Sequence, residues 1–276
     1  MRPFDDVLKA NAERFSGFAG AYDSFRPQPP LFVTHLLLRY LEGHVVDPSV
    51  ADVGCGTGLS TYLWDGIARA VFGIDPNLDM LKTARGKLAS LGKRSPILFI
   101  RAPAHSTGLK AGSVDIVTCS QSFHWMEPAS TLAEFNRILR TPGIFAAYDC
   151  DWPPSVDWRA EQAFLRLFET VDRASEVPAG TGAHRWHKAG HLERLSASGY
   201  FAFTREILFH NVERCSGRRF IGLALSQGSL QTLLKRGYTE ASLGLDRFRG
   251  EISECFGPGE KEMVVSYRLR MGIKER

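Results

Sequence analysis

The sequence predicts an α/β fold built on a mostly parallel β-sheet. Between residues 49 and 148, short runs of β-forming residues alternate with segments of helical periodicity, which is typical of parallel strands joined by crossover helices. Several of these runs are apolar at consecutive positions, as in residues 115–119. Such strands bury both sides, so we expect helices on both faces of the sheet.

Seven segments have strand character, five of them before residue 149 and two after residue 200. The predicted strands are residues 50–53, 70–74, 97–100, 114–119, 144–148, 201–209 and 263–269. Other segments repeat apolar residues at helical spacing. These helical faces are Leu78/Leu81/Arg85/Leu88, Leu132/Phe135/Leu139, Phe164/Phe168/Val171, residues 221–225 and Leu245/Phe248/Ile252/Phe256.

The pattern changes after Tyr148, where a linker rich in Trp and Pro, residues 151–154, interrupts the alternation. We therefore predict N-terminal helices and a lid in residues 1–40 and a ligand-binding core in 41–150. A helical insertion that caps the core follows in 151–200. Residues 201–276 are predicted to supply the last two strands with a further helical cap segment between them.

Composition excludes several classes of function. Lys and Arg exceed Asp and Glu by 34 to 30, a net charge of +4 with no basic arm for nucleic acid. The five cysteines form no C-x-x-C pair, which favours a reduced, cytoplasmic protein. The most apolar stretch, residues 31–41, contains His35 and Arg39 and is too short to cross a bilayer. We expect neither nucleic acid nor a membrane as partner, and a monomer or homodimer.

A glycine-rich loop is the strongest functional signal. The first predicted strand runs into Gly54, Gly56 and Gly58, and a helix is predicted to follow. Glycine adopts positive φ freely and lets a ligand approach the main chain, while a helix N-terminus offers unpaired N–H donors. Asp75 ends the next predicted strand, where a carboxylate can accept both hydroxyls of a ribose. The loop and Asp75 together predict a nucleoside pocket at the carboxyl ends of the strands.

The spacing of the glycines limits the choice of nucleoside. A dinucleotide fingerprint has the pattern G-x-G-x-x-G/A, but here the third glycine comes one residue early and Leu59 takes its position. A phosphate-binding loop would need Gly-Lys-Ser/Thr, which is absent. The remaining ligand is an adenosine whose 5′ substituent is not a phosphate.

The run Asp-Val-Gly-Cys-Gly-Thr-Gly at 52–58 resembles motif I of the class I S-adenosylmethionine-dependent methyltransferases. Ala104-His105, followed by residues 112–115, resembles that family's adenine-contacting turn, with His105 in place of the common acid. The resemblance implies a three-layer Rossmann-like fold whose seven-stranded sheet ends in an antiparallel strand. It also implies S-adenosylmethionine as the methyl donor and S-adenosylhomocysteine as its product. We expect no metal, because no carboxylate or cysteine keeps metal-ligand spacing with His184 and His187.

Two further stretches, residues 22–27 and 121–125, are similar to the branch that contains trans-aconitate methyltransferase and related carboxyl O-methyltransferases. The first resembles a segment that closes over the donor, and the second follows the fourth strand, where acceptor and donor methyl meet. The donor-binding residues implied are Tyr22, Arg26, Asp52, Gly54, Cys55, Gly56, Gly58, Asp75, Pro76, Met80, Ala104, His105, Gln121 and Phe123.

The resemblance suggests methylation of a small molecule, with a carboxylate as the favoured acceptor. A carboxylate is ionised at neutral pH and needs a cation or donor to hold it, whereas a phenol benefits from a general base. We predict His124 and Arg26 as catalytic residues. The residues predicted to bind the acceptor are His124, Trp125, Trp152, His184, Arg185 and Trp186.

Several alternatives stay open at this stage. His124 could simply bond a backbone carbonyl, Trp125 could pack in the core, and residues 184–187 could form a solvated loop. Nucleic-acid methylation is disfavoured because residues 120–123 lack the Asp/Asn-Pro-Pro-aromatic motif of adenine methyltransferases. The sequence leaves two other functions open. One is methylation of another metabolite, such as a phenol, and the other is binding of the donor without turnover.

Overall fold

The computed structural model describes residues 5–14, 16–17, 19–91, 95–175 and 184–275. Seven strands form one sheet in these residues. They are β1 (Ser49–Val53), β2 (Ala70–Asp75), β3 (Ile97–Arg101), β4 (Val114–Ser120), β5 (Leu139–Cys150), β6 (Phe203–Ser216) and β7 (Glu260–Lys274). Their order across the sheet is β3-β2-β1-β4-β5-β7-β6.

The sheet is parallel from β3 to β5, and β7 runs antiparallel to both of its neighbours. This confirms the predicted seven-stranded sheet with an antiparallel last strand. The last three strands are longer than predicted, and Leu139, predicted as the end of a helical face, begins β5. It pairs with Val114 of β4 in extended conformation. A buried leucine fits either element, so its spacing could not assign it.

The described residues form ten α-helices around the sheet. They are α1 (Asp5–Glu13), α2 (Ala19–Phe25), α3 (Phe32–Tyr40), α4 (Leu78–Ser90), α5 (Pro128–Ile138), α6 (Trp158–Ser175), α7 (His191–Ala197), α8 (Gly217–Leu225), α9 (Gly228–Lys235) and α10 (Leu245–Phe256). Asn77 caps the start of α4, because its side chain accepts hydrogen bonds from the N–H groups of Asp79 and Met80.

The helix predicted directly after the glycine loop does not form. The structure has only a four-residue 3₁₀ turn, Thr61–Trp64. The Ser60 and Thr61 hydroxyls donate to the Asp52 carboxylate at 2.7 and 2.6 Å, and Gly66 has a φ of +79°. The hydrogen bonds of Ser60 and Thr61 and the turn at Gly66 leave only residues 62–65 between them, which are too few for a regular helix.

The core consists of two apolar clusters, one on each face of the sheet. One contains Val50 of β1 with side chains of α3, α4 and the cap helices. The other contains Ala51 and Val53 of β1 with side chains of α5 and α7. Since neighbouring residues of one strand face opposite layers, the molecule has three layers. In the cap, α10 packs on α6 and α8.

None of the helices in the described ranges combines the length and the apolar character that a bilayer span requires.

Candidate functional site

A cavity of about 560 Å³ opens at the carboxyl edge of the sheet. The last residues of the five parallel strands line it, namely Val53, Asp75, Arg101, Ser120 and Cys150. Ligands bind at this edge in open α/β sheets. The position therefore agrees with the pocket predicted from the glycine loop.

The glycine loop forms one wall of the cavity. Gly54, Gly56 and Gly58 all have positive φ, at +71°, +56° and +85°. A Cβ on Gly54 would lie 2.5 Å from the Cβ of Ser122, so this glycine allows a close contact within the protein. A Cβ on Gly56 would meet no atom within 4 Å. Gly56 also lines the cavity, so the space beside it is available to a ligand.

Asp75 faces the same cavity from the end of β2. Its Oδ2 accepts a hydrogen bond from Gly56 N at 2.9 Å, and its Oδ1 accepts one from Asn77 N at 2.7 Å. Burial raises the pKa of Asp75 to about 6, although both backbone donors oppose the shift. The two donors fix the orientation of the carboxylate, and each oxygen keeps a further lone pair for a ligand hydroxyl.

Asp52 has a different environment. It is fully buried, does not line the cavity, and accepts hydrogen bonds from the hydroxyls of Ser60, Thr61 and Thr118. Burial raises its pKa, and the three hydroxyls oppose that effect. The contacts of Asp52 thus hold the glycine loop against β4 from behind.

The structure brings most of the predicted donor-binding residues together at the cavity. Those that line it are Arg26, Gly54, Cys55, Gly56, Asp75, Pro76, Met80, Ala104, His105 and Gln121. Gly58 lies outside the lining, and so does Phe123, which is 1% exposed and packs on Phe145 and His191. Tyr22 belongs to α2, but its side chain is outside the described part of the chain.

Sequence reasoning missed the contribution of α1, whose residues Leu8, Asn11 and Ala12 line the cavity. The Asn11 amide donates to the carbonyl oxygens of Trp125 and His184, each at 2.8 Å, and its Oδ1 accepts from His184 N at 3.0 Å. Asn11 is 3% exposed. One asparagine therefore fixes α1 to the loop after β4 and to the segment at 184. Nothing in the sequence distinguishes it from a polar surface residue.

Because α1 covers part of the cavity, ligand binding should protect its backbone. We expect amide hydrogen exchange in residues 9–14 to slow when S-adenosylhomocysteine is added, since closure suppresses local opening. Hydrogen-exchange mass spectrometry measures this directly, with α10 as the internal control. Equal exchange with and without the ligand would make α1 a static wall.

Arg26 connects the cavity with the cap. It lines the cavity, and its guanidinium donates to Ser226 O at 3.0 Å and Gln227 Oε1 at 3.3 Å. The guanidinium also lies 5.0 Å from the centre of the Trp152 ring, which stacks on Phe164. Trp152 itself does not line the cavity, so its contact with the site runs through Arg26.

His124 is buried behind the cavity rather than in its lining. Its Nδ1 lies 3.4 Å from Asp149 Oδ1, which is also 2.8 Å from Lys188 Nζ. Burial lowers the pKa of His124 to about 4, despite the neighbouring carboxylate. The pKa of Asp149 is held well below its usual range, because His124 and Lys188 outweigh the effect of its burial.

His191 completes this buried group, and burial lowers its pKa to about 3. One ligand-type atom from each of His124, Asp149 and His191 lies within 4.8 Å of the others. Two imidazoles and a carboxylate could ligate zinc. The ammonium of Lys188 already neutralises Asp149, however, and the Arg270 guanidinium lies 3.8 Å from its other oxygen. These cations would repel a metal ion, so the group is better described as an internal ion pair with two neutral histidines.

Of the residues predicted to bind the acceptor, Trp125 lines the cavity, whereas His124, Trp152, His184, Arg185 and Trp186 do not. The Arg185 guanidinium lies 5.7 Å from the centre of the Trp125 ring. Trp186 N donates to His124 O at 2.9 Å, and the His184 ring lies 4.5 Å from that of Trp186. Arg185 and Trp186 therefore contact Trp125 and His124, of which Trp125 lines the cavity, and His184 packs on Trp186.

Gln121 has an unusual backbone for a residue at the cavity. Among the described non-glycine residues, it is the one with a positive φ, +54°. Its N–H donates to Tyr148 O at 2.9 Å, and its Oε1 accepts from Lys188 Nζ at 3.2 Å. Such strain persists where surrounding contacts enforce it, often at ligand sites. Lys188, which sequence reasoning did not select, thus ties Gln121 to Asp149.

Comparison with known proteins finds similarity to methyltransferases. Residues 51–147 match the family model of a methyltransferase domain. A Saccharomyces cerevisiae protein assigned as an S-adenosylmethionine-dependent methyltransferase is 30% identical over 138 residues, 50% of this chain and 47% of that protein. The ubiquinone biosynthesis O-methyltransferase of Thiobacillus denitrificans is 31% identical over 40% of this chain and 49% of its own length.

A solved structure has the same architecture over most of the chain. It is a protein of Anaeromyxobacter dehalogenans assigned to the type II methyltransferases, with a TM-score of 0.63 and 23% identity, and the match covers 91% of this chain and 98% of that one. The chain spans about half of the length of the curated relatives that it matches.

Proposed function

Because the chain belongs to the class I S-adenosylmethionine-dependent methyltransferase superfamily, we propose that it methylates a small molecule, through a carboxylate oxygen, with S-adenosylmethionine as donor. One observation carries the proposal. Asp75 and Gly56 share a hydrogen bond of 2.9 Å at the edge of a cavity whose space beside Gly56 is open.

The residues present fit the donor. Gly56 leaves room for ligand atoms against the main chain, and Asp75 offers lone pairs to ribose hydroxyls. Met80, Ala104 and His105 also line the cavity and are the proposed contacts of the adenine. When bound, the sulfonium supplies an activated methyl group, and the protein's task is to position the acceptor and exclude water.

The remaining wall suits an anionic acceptor. Arg26, Gln121, Trp125, Cys150 and Tyr267 line it. Burial raises the pKa of the Cys150 thiol to about 11, while the charges of Lys188 and Arg26 act in the opposite direction. Both cations are therefore close enough to stabilise negative charge at this end. A carboxylate held there needs no proton removed before it accepts the methyl group.

A screen for turnover tests the proposal. The purified protein is incubated with S-adenosylmethionine and a library of organic acids and phenols, and release of S-adenosylhomocysteine is measured. We expect turnover with an organic acid and a methylated product that mild alkali cleaves, as it cleaves an ester. An alkali-stable product would contradict the carboxylate proposal in favour of a phenol or another O-, N- or C-acceptor.

The buried position of His124 supports a mechanism without a general base. With a pKa of about 4, His124 is neutral throughout the range from about pH 6.5 to 9, so its ionisation should not shape the rate there. We expect a flat pH profile of turnover in this range. His124→Gln should change KM more than kcat. A His124-dependent ionisation in kcat, with a loss of about 10²-fold or more, would make His124 the base of a phenol acceptor.

A protein that binds the donor without turnover is the competing proposal. It would bind S-adenosylhomocysteine in a calorimeter and give no methylated product with any acceptor by mass spectrometry. Nucleic-acid methylation is less favoured on the sequence motifs. The resemblance to the trans-aconitate branch, a monomeric or homodimeric state and a cytoplasmic location remain predictions.

A further inference from the structure

Strand β6 forms one outer edge of the sheet, and within the described residues it pairs with β7 alone. The pairing runs over its whole length, Phe203–Ser216, without a bulge. An edge strand offers unpaired N–H and C=O groups to another strand, and natural proteins blunt such edges with bulges, prolines or charged side chains. Residues 207–212, in the middle of β6, contain neither proline nor Asp, Glu, Lys or Arg. β6 is therefore suited to pair with a further strand.

The hydrogen bonds of β7 show which residues of β6 face outward. The Asp151 N–H donates to Ser266 O at 2.8 Å, on the side of β7 that faces β5. Backbone groups alternate between the two sides along a strand, so the odd-numbered residues of β7 bond to β6. Their partners in the register are the odd-numbered residues of β6. The N–H and C=O groups of Leu208, His210 and Val212 therefore point away from the sheet, and we call these three residues the β6 edge.

Large apolar side chains are exposed on both faces of this edge. Leu208 and Val212 are each 58% exposed. At the start of α3, Leu31 and Phe32 are each 48% exposed, and the Phe32 ring lies 5.2 Å from that of Phe209. Because side chains alternate between the faces of a strand, Phe209 and Phe32 lie on the face opposite Leu208 and Val212. Exposed apolar groups gathered at one place are typical of an interaction surface.

The β6 edge is complementary to itself. When two copies of β6 run antiparallel about a twofold axis at His210, Leu208 of each copy lies opposite Val212 of the other. Glu206 then lies opposite Arg214. Cross-strand pairs of apolar side chains and of opposite charges stabilise a sheet. Moving the axis by one residue in either direction sets Val212 opposite Glu206 or Leu208 opposite Arg214. The register centred on His210 is therefore favoured.

The ends of β6 limit the pairing to its middle. The Arg219 guanidinium donates to Arg214 O at 2.7 Å, which occupies an outward carbonyl. Glu206 and Arg214 already form ion pairs within the chain, with Arg270 at 2.7 Å and Glu260 at 3.5 Å. A second copy would add a charge of opposite sign to each of these pairs. Its backbone hydrogen bonds would fall on the β6 edge.

We propose that two copies of this chain form a dimer through the β6 edge, which joins their two sheets into one. A twofold interface of this kind uses the same surface of both copies and closes after two. A stable interface buries about 1,200 Å² or more, and Leu31 and Phe32 add apolar surface beside the strand. The residues of the β6 edge do not line the cavity, so the dimer does not depend on the proposed function.

Sedimentation velocity of the purified protein across the micromolar range tests the inference. We expect the wild type to form a dimer. Leu208→Glu and Val212→Lys each set a charge opposite an apolar side chain, so each should raise the dissociation constant of the dimer about tenfold or more. Combined in one chain, the two substitutions set opposite charges against each other. The double variant should therefore recover the dimer, which tests the register itself.

Leu98→Glu is the matched control, because Leu98 is 56% exposed on β3 at the opposite edge of the sheet. It should form the dimer as the wild type does, and circular dichroism checks that every variant is folded. A wild type that stays monomeric would overturn the inference, and so would equal dimerisation of Leu208→Glu and Leu98→Glu. Loss of the dimer in both single variants without recovery in the double variant would contradict the register centred on His210.

Hydrogen exchange of the wild type gives a second measurement that needs no substitution. Pairing would engage the outward N–H groups of Leu208, His210 and Val212 in hydrogen bonds between the copies. Their exchange, resolved by NMR, should slow as the protein concentration rises through the dissociation constant. Exchange at the β6 edge that is the same in dilute and concentrated protein would place any dimer interface elsewhere.

Discussion

Gly56→Val should abolish binding of S-adenosylhomocysteine and leave the protein folded. Gly56 has a φ of +56°, and a Cβ there would point into space free of protein atoms within 4 Å. A valine would place its branched side chain in the cavity that Gly56 lines. Its left-handed backbone costs about 1–2 kcal/mol, which most domains tolerate. We expect a dissociation constant at least about 100-fold higher in calorimetry, a loss of about 2.7 kcal/mol.

Gly66→Val separates the effect of strain from the effect on the cavity. Gly66 also has a positive φ, +79°, and open space around its Cβ position, but it does not line the cavity. It should lose a similar amount of stability in thermal unfolding and bind the ligand normally. If both variants bind S-adenosylhomocysteine equally well, the donor does not approach the main chain at Gly56.

The sheet was predictable because its signals are local. A strand covered on both faces is apolar at consecutive positions, and residues 115–119 show this without any knowledge of their neighbours. The glycine loop was predictable for the same reason, since positive φ within a short turn restricts the residue type. Asp75 followed from its place at the end of the next strand, where parallel strands bring their last residues to one edge.

The rest of the site, outside the glycine loop and Asp75, depends on contacts between residues that are distant in the sequence. Asn11 bonds to backbone atoms 114 and 173 residues away, and no local pattern records such a pairing. His124 shows the same limit, because its position after β4 predicted a place in the cavity. The fold instead buries it beside Asp149 and Lys188.

Asp75→Ala should weaken binding of S-adenosylhomocysteine by about 1.5–3 kcal/mol, the range for hydrogen bonds to a charged group, or about 10- to 150-fold. The alanine would remove the proposed partner of the ribose hydroxyls and leave Gly56 N without its acceptor. Asp79→Ala is the control. Asp79 follows in the first turn of α4, and its carboxylate contacts the exposed Lys82 at 3.6 Å, so its loss should leave the affinity unchanged.

The pH dependence of binding gives Asp75 a second, independent signature. Burial raises its pKa to about 6 in the free protein, so the carboxylate is ionised above that pH and protonated below it. Protonation replaces an acceptor with a donor and removes the charge, so affinity for S-adenosylhomocysteine should fall as the pH drops from about 7.5 to about 5. In Asp75→Ala this fall should disappear, because the titrating group is gone. Calorimetry at the two pH values measures both variants. An equal decline in affinity for wild type and Asp75→Ala would place the titrating group elsewhere and remove Asp75 from the donor site.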